Sequence, residues 1–141
     1  MTPGRVMALD VGERRIGVAI SDPLRITVRG LTTIDRARAD ACAAVVDSVA
    51  QWAPVCVVIG DPRLPSGDRG EQAESTDAFV ARLAPELARL GVPIARWDES
   101  YTSEAAIARL RARGVDTRRD KAAIDAEAAA IILEEWLRSQ A

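Results

Sequence analysis

The chain contains no histidine among its 141 residues. That absence removes Ser-His-Asp and Cys-His nucleophile systems, imidazole general bases and zinc sites that rely on imidazole. Cysteine is scarce as well. Cys42 and Cys56 are the only two, each in an apolar run (Ala41-Cys42-Ala43 and Val55-Cys56-Val57), which favours buried, reduced thiols over a disulfide or a metal pair. No stretch of about 18 consecutive apolar residues occurs, so no transmembrane helix is expected. Residues 1–5 lead straight into the first strand signal without a signal-peptide pattern, and a cytoplasmic location is the expectation. A formal net charge of −2 supplies no bulk basic surface for nucleic acid. The chemistry left to the chain is that of carboxylates, Lys and Arg, hydroxyls and metal ions. Carboxylates with a hard divalent cation fit this inventory best.

With 48% hydrophobic and 28% charged residues, the composition is that of an ordinary globular protein, and the length suits one domain over residues 1–141 with a real core. Three strand signals come first, over residues 5–11, 15–21 and about 25–34. Asp35 precedes a helix expected over about 36–51, with Ala41, Val45, Val46 and Val49 at helical spacing. Pro54 ends it, and Val55-Cys56-Val57-Val58-Ile59 reads as a fully buried strand. A turn-rich loop over 60–70 leads to a helix of about 71–90, in which Pro85 predicts a kink or break and Gly91 a stop. Residues 92–97 form the last strand, placed near an edge by Pro93. Thr102 or Ser103 can cap a helix to about Arg113, closed by Gly114, and Asp120 can cap a final helix over about 121–137. The order βββ-α-β-α-β-α-α describes an α/β, three-layer arrangement of a mixed five-stranded sheet flanked by helices.

Acidic residues mark three of these elements. Asp10 lies at the end of the apolar run Val6-Met7-Ala8-Leu9, where an ionised carboxylate is costly to desolvate and calls for a compensating cation or metal. The turn Val11-Gly12-Glu13-Arg14-Arg15 would return the chain as a hairpin and hold Asp10 near the sheet's edge. Strand alternation puts Glu99 on the face of Ala95 and Trp97, whereas Asp98 follows Arg96. The apolar face is usually the covered one, so Glu99 is the better candidate for a ligand; the alternative is that both are solvated loop acids. In the final helix, Asp125 leads the stripe Ala128, Ala129, Ile132 and Trp136, beyond the turn that Asp120 caps, which favours a site residue over a helix-end charge. Glu127 points elsewhere and is expected in solvent. Three such carboxylates would suit two-metal phosphodiester hydrolysis, which needs no histidine. Two basic zones accompany them. One holds Arg109, Arg111, Arg113, Arg118, Arg119 and Lys121, the other Arg14, Arg15, Arg25, Arg29, Arg36 and Arg38. Each is either a salt-bridged surface or a phosphate-binding one.

The strings themselves carry a family resemblance. The run from Ala8 to Asp22 (ALDVGERRIGVAISD) closely resembles the opening motif of the YqgF (RuvX-like) family of Holliday junction resolvase-like proteins. Val57-Val58-Ile59-Gly60-Asp61-Pro62 with Gly67 is similar to its central loop, Asp98-Glu99-Ser100-Tyr101-Thr102-Ser103 to its third motif, and Lys121–Leu133 to its fourth. The resemblance spans nearly the whole chain in order. It implies an RNase H-like fold, with Asp10, Glu99 and Asp125 as an acidic triad holding Mg²⁺ or Mn²⁺. It also implies cleavage of nucleic-acid phosphodiesters, chiefly in maturing the 5′ end of small-subunit ribosomal RNA precursor. Branched or single-stranded DNA enters as a substrate by fold analogy. Arg14, Arg15, Arg109, Arg113, Arg118, Arg119 and Lys121 are the candidate nucleic-acid contacts, and a monomer or homodimer is expected. Two positions depart from the pattern: Asp61 stands where the family usually has Leu, and Ser100 where Arg commonly follows the third-motif acid. Asp61 is read as a surface loop residue rather than an outer-sphere acid. The competing functions are a junction-resolving DNA repair nuclease, a catalytically weak RNA-binding assembly factor and, more remotely, an actin-like ATPase.

Overall fold

Nine elements follow one another in the computed structural model, which describes residues 3–99 and 102–141: strands β1 (Val6–Val11), β2 (Arg15–Ser21) and β3 (Val28–Asp35), helix α1 (Ala41–Trp52), strand β4 (Cys56–Pro62), helix α2 (Glu71–Arg89), strand β5 (Ile94–Glu99), and helices α3 (Thr102–Ala112) and α4 (Lys121–Ser139). The strands form one sheet in the order β3-β2-β1-β4-β5. β1 pairs antiparallel with β2 and parallel with β4, and β4 pairs parallel with β5. β1 is therefore the central strand. Asp10 sits at the middle of the sheet and not at its edge, because the β4 crossover fills the side of β1 that the hairpin leaves open.

Alternation along β1 sorts the core into two unequal halves. Met7, Leu9 and Val11 face α1 and α2, where they join Ile16, Val18, Ile20, Val45, Phe79, Leu83 and Leu87 in a cluster of large side chains. Val6 and Ala8 face α4, where Ala19, Val58, Ala129, Ala130, Ile132 and Leu133 make a cluster built largely of small ones. Small residues let α4 lie close against the sheet. At Gly17 the approach is limiting: a Cβ there would lie 1.9 Å from the carbonyl oxygen of Asp125. α3 packs on α4 through Ala106, Ala128, Ile131 and Ile124.

Helix ends follow the chemistry of their flanks. The Asp120 carboxylate accepts the N–H of Ala123 at the start of α4, as expected. Gly91 and Gly114 turn the chain after α2 and α3 with φ of 72° and 82°, in the left-handed region where glycine carries no Cβ penalty. Three elements differ from expectation. α1 starts at Ala41 because Asp40, not Asp35, caps it by accepting the N–H of Ala43. β3 starts at Val28 because the Asp22 carboxylate accepts the N–H groups of Leu24, Ile26 and Thr27 and winds those residues into a turn. α2 runs through Pro85 unbroken, its face anchored by Leu83 and Leu87 on either side. Both cysteines are buried and free.

Gly17→Ala is expected to cost about 3 kcal/mol or more of folding stability in denaturant titrations, since the added methyl meets α4 backbone rather than a side chain that can turn aside. A loss below about 0.5 kcal/mol would show that α4 is not held at that distance.

Candidate active site

The three acids singled out in the sequence converge on one end and one face of the sheet. β1, β4 and β5 run parallel, so their C-terminal ends lie together. Asp10 alternates with Ala8 and Val6, so its side chain points to the α4 face. It pairs in register with Gly17 of β2. Because Gly17 is also the point where the Asp125 backbone touches the sheet, Asp125 is brought to the strand next to Asp10. Glu99 ends β5 on the face of Ala95 and Trp97, which also pack toward α4. It is buried, as the alternation argument requires and a solvated loop acid would not be. Gly60 makes room for it: a Cβ at that position would lie 3.1 Å from Glu99 Cγ.

Electrostatics set the three apart. Burial, reinforced by the charges of Glu99 and Asp125, pushes the Asp10 carboxyl up to about 7. Among the described residues no basic side chain forms an ion pair with it. Burial also raises Glu99, partly offset by the Thr102 hydroxyl, which donates to its Oε2 at 2.5 Å. Thr102 thus lies inside the first turn of α3 and holds Glu99, where the sequence suggested a cap. Asp125 accepts the Nε–H of Arg15 at 2.5 Å. Beside them a cleft of about 310 Å³ is lined by Gly12, Glu13, Arg14, Arg15, Gln72 and Asp125. As hard oxygen donors, the three carboxylates suit Mg²⁺ or Mn²⁺. Among the described residues no three acids yet stand close enough together to ligate one ion, with Asp125 turned onto Arg15 and Glu99 onto Thr102.

The basic candidates divide into two groups. Arg109 bridges Glu127 and Glu134, and Arg113 also pairs with Glu127, so these two cations fasten α3 to α4. Glu127 is consequently 7% exposed and not in solvent, because α3 covers it and two guanidinium groups balance its charge. Arg14, Arg118 and Lys121 are exposed, and among the described residues none of them forms an ion pair. Arg119 is exposed too, 3.6 Å from Asp116. Asp61 likewise departs from expectation. It is 7% exposed at the end of β4 and accepts from Arg63, Arg69 and Arg96. Its place two residues after buried Ile59, on the same strand face, is the signal that could have found it. Ser100 and Tyr101 of the third motif lie outside the described residues.

A raised carboxyl makes a signed prediction. An Asp with a folded value near 7 and an ordinary value of 3.8 keeps its proton in the folded state while the unfolded chain loses it, so wild-type stability falls as pH rises from about 4 to 7. Asp10→Asn removes that dependence. Without divalent ions, the variant should gain on wild type by up to a few kcal/mol at pH 8 and by roughly 2 kcal/mol at pH 5. An equal difference at both pH values, read from denaturant midpoints, would contradict the buried, charge-crowded site.

Comparison with known proteins gives the chain its family. The RuvX family profile, described as "Holliday junction resolvase", matches residues 4–139. A Synechococcus elongatus protein named "Putative pre-16S rRNA nuclease" is 44% identical over 135 residues, covering 95% of this chain and 89% of its own length. A Roseiflexus protein of the same name is 41% identical over 139 residues, covering 98% and 96%. Among solved structures, T. thermophilus RuvC in complex with Holliday junction substrate is similar with a TM-score of 0.63 at 16% identity, over 97% of this chain and 96% of that one. That likeness is one of fold, and the fold is the RNase H-like one expected from the motifs. With a profile match over almost its full length, the chain belongs to the RuvX family of Holliday junction resolvases.

Proposed function

We propose that this chain hydrolyses nucleic-acid phosphodiester bonds with the help of Mg²⁺ or Mn²⁺, that Asp10, Glu99 and Asp125 are its metal ligands, and that precursor small-subunit ribosomal RNA is its substrate. The observation that carries the reading is the convergence of three acids from β1, β5 and α4 on one face, with Asp10 raised by burial and further by the charges of the other two. A buried acid crowded by acids is stabilised in its ionised form by a cation, so the site favours divalent metal over empty carboxylates. The relatives' names support RNA as the substrate.

When bound, divalent metal activates water and stabilises charge on the attacking and leaving oxygens. The remaining tasks fall to the chain. Asp10 binds from a rigid central strand, and Gly17 fixes the Asp125 backbone, so neither ligand relies on a mobile loop. Thr102 donates to one oxygen of Glu99 and leaves the other to bind. Arg15 neutralises Asp125 and must release it as that carboxylate turns to the site. The freed guanidinium then faces the adjacent cleft, where it and Arg14 can take a phosphate. Arg118, Arg119 and Lys121 extend the cationic track along the approach to α4. Arg109 and Arg113 act less directly, through the α3–α4 clamp.

The test incubates wild type and Asp10→Asn with labelled single-stranded RNA, precursor ribosomal RNA and a four-way DNA junction, in Mn²⁺, Mg²⁺ or chelator. Loss of an outer-shell partner typically costs 10–100-fold, so loss of a ligand should reduce cutting by more than about 100-fold while binding survives. Precursor RNA should be cut in preference to the junction; the reverse order would make DNA the substrate. Intact cutting by Asp10→Asn would sink the site. Each of Arg118→Ala and Lys121→Ala should weaken RNA binding and reduce the salt slope of log K by roughly 1. An unchanged slope removes that residue from the interface.

A further inference from the structure

A second cluster of charges stands directly behind Glu99, and none of its members belongs to the acidic triad. Asp61, buried at the end of β4, receives three guanidinium groups: Arg63 at 2.9 Å, Arg69 at 2.9 Å and Arg96 at 3.4 Å. Arg69 and Arg96 also reach Asp77 on α2, at 2.9 and 3.2 Å. Arg63 differs from the other two. Its Nη2 donates to Asp61 and, at 2.8 Å, to Asp98, the neighbour of Glu99. Its backbone N–H donates to the Glu99 carbonyl at 3.0 Å. One residue therefore grips the ends of β4 and β5 on both sides of Glu99, where Pro62 pairs in register with that acid.

We infer that Arg63, held in place by buried Asp61, is a positioning residue that fixes Glu99 for its work, and this rests on the reading of Glu99 as a metal ligand. Sheet pairing reaches β5 from one side alone, since it is an edge strand, and its last residue would otherwise be free to fray. Glu99 must hold a ligand's position to within a fraction of an ångström, which an edge-strand end does not provide unaided. The clamp supplies that rigidity from outside the metal site. Its charges balance internally, three arginines against Asp61, Asp77 and Asp98, so it is built for holding rather than for attracting phosphate. The loop from Arg63 to Gly70 is tied down by the guanidinium groups of Arg63 and Arg69, with Leu64 and Gly67 closing its backbone on itself.

The experiment compares wild type, Arg63→Gln, Asp61→Asn and the double variant by three readouts. In steady-state cleavage of the best RNA substrate, Arg63→Gln should lower kcat about tenfold with KM unchanged. The double variant should be no slower than Asp61→Asn alone, as expected of groups acting as one unit. A raised KM with a smaller salt dependence would make Arg63 a phosphate contact and overturn the inference, as would unchanged kcat. Trypsin digestion reads the clamp without catalysis: cutting after Arg69 should quicken at least tenfold in both single variants, while cutting after Arg118 stays at the wild-type rate. Equal rates after Arg69 would overturn the clamp, and faster cutting at both sites would mark general unfolding and overturn it too. Mn²⁺ titration followed by melting separates the two readings. If wild type is stabilised by Mn²⁺ and Arg63→Gln needs several-fold more ion for the same shift, the positioning role stands even where no cleavage is seen. If Mn²⁺ stabilises neither, the metal site itself fails and the positioning role falls with it.

Discussion

The whole arrangement depends on one contact: the α4 backbone lying against β2 at Gly17. Interiors are packed so tightly that a single methyl decides how near two elements can come. Here the absence of that methyl brings the Asp125 carbonyl to where a Cβ would have stood. Asp10 is the register partner of Gly17, so the contact that seats the helix also sets the distance between two acids on different elements. The small-residue half of the core, with Ala8, Ala19, Ala129 and Ala130, extends this close approach along the helix. The large-residue half, under α1 and α2, supplies most of the apolar burial that keeps the sheet rigid.

Close packing has an electrostatic consequence. Acids drawn to one buried sheet end repel one another, and the fold meets that repulsion with a different device at each position. Asp125 is paired with Arg15, Glu99 is bonded by Thr102, and Asp10, which pairs with no basic side chain among the described residues, holds its proton to about neutral pH. Elsewhere buried acids are fully balanced: Glu127 by Arg109 and Arg113, Asp61 by three arginines. The contrast separates acids balanced by several arginines from the three that share one end of the sheet. A paired buried acid fastens elements to each other, while a buried acid crowded by other acids keeps its proton instead.

Much of the fold was legible in local pattern. The apolar runs of β1, β2 and β4, the caps at Asp120 and the glycine stops after α2 and α3 depend on residues near one another in sequence, so short-range physics decides them. The elements that depart from local pattern do so for one reason: pairing that the pattern does not show overrides it. Asp35 and Asp40 are both plausible caps, and which one wins depends on how far β3 continues beside β2. Asp22 rewrote the start of β3 by capturing three backbone N–H groups, an event that strand-forming residues do not announce. The hairpin alone puts Asp10 near an edge, because it shows one neighbour of β1 and conceals the other, β4.

The site divides along the same line. By itself the sequence determined which residues could be functional: a chain without histidine is left with carboxylates, Lys and Arg, hydroxyls and metal ions, of which carboxylates with a divalent cation fit best, and alternation and helical periodicity assigned Asp10, Glu99 and Asp125 to covered faces. Tertiary structure alone decided which charges are free. Asp61 and Glu127 looked like solvent residues and are buried counter-ions, while Arg109 and Arg113, read as phosphate ligands, are engaged with α4. Pairing of that kind joins residues up to 35 positions apart in the Asp61 cluster and 110 apart in the Arg15–Asp125 bridge. Local periodicity fixes the face on which a side chain lies, but only the packing of one element on another fixes the charge it meets there.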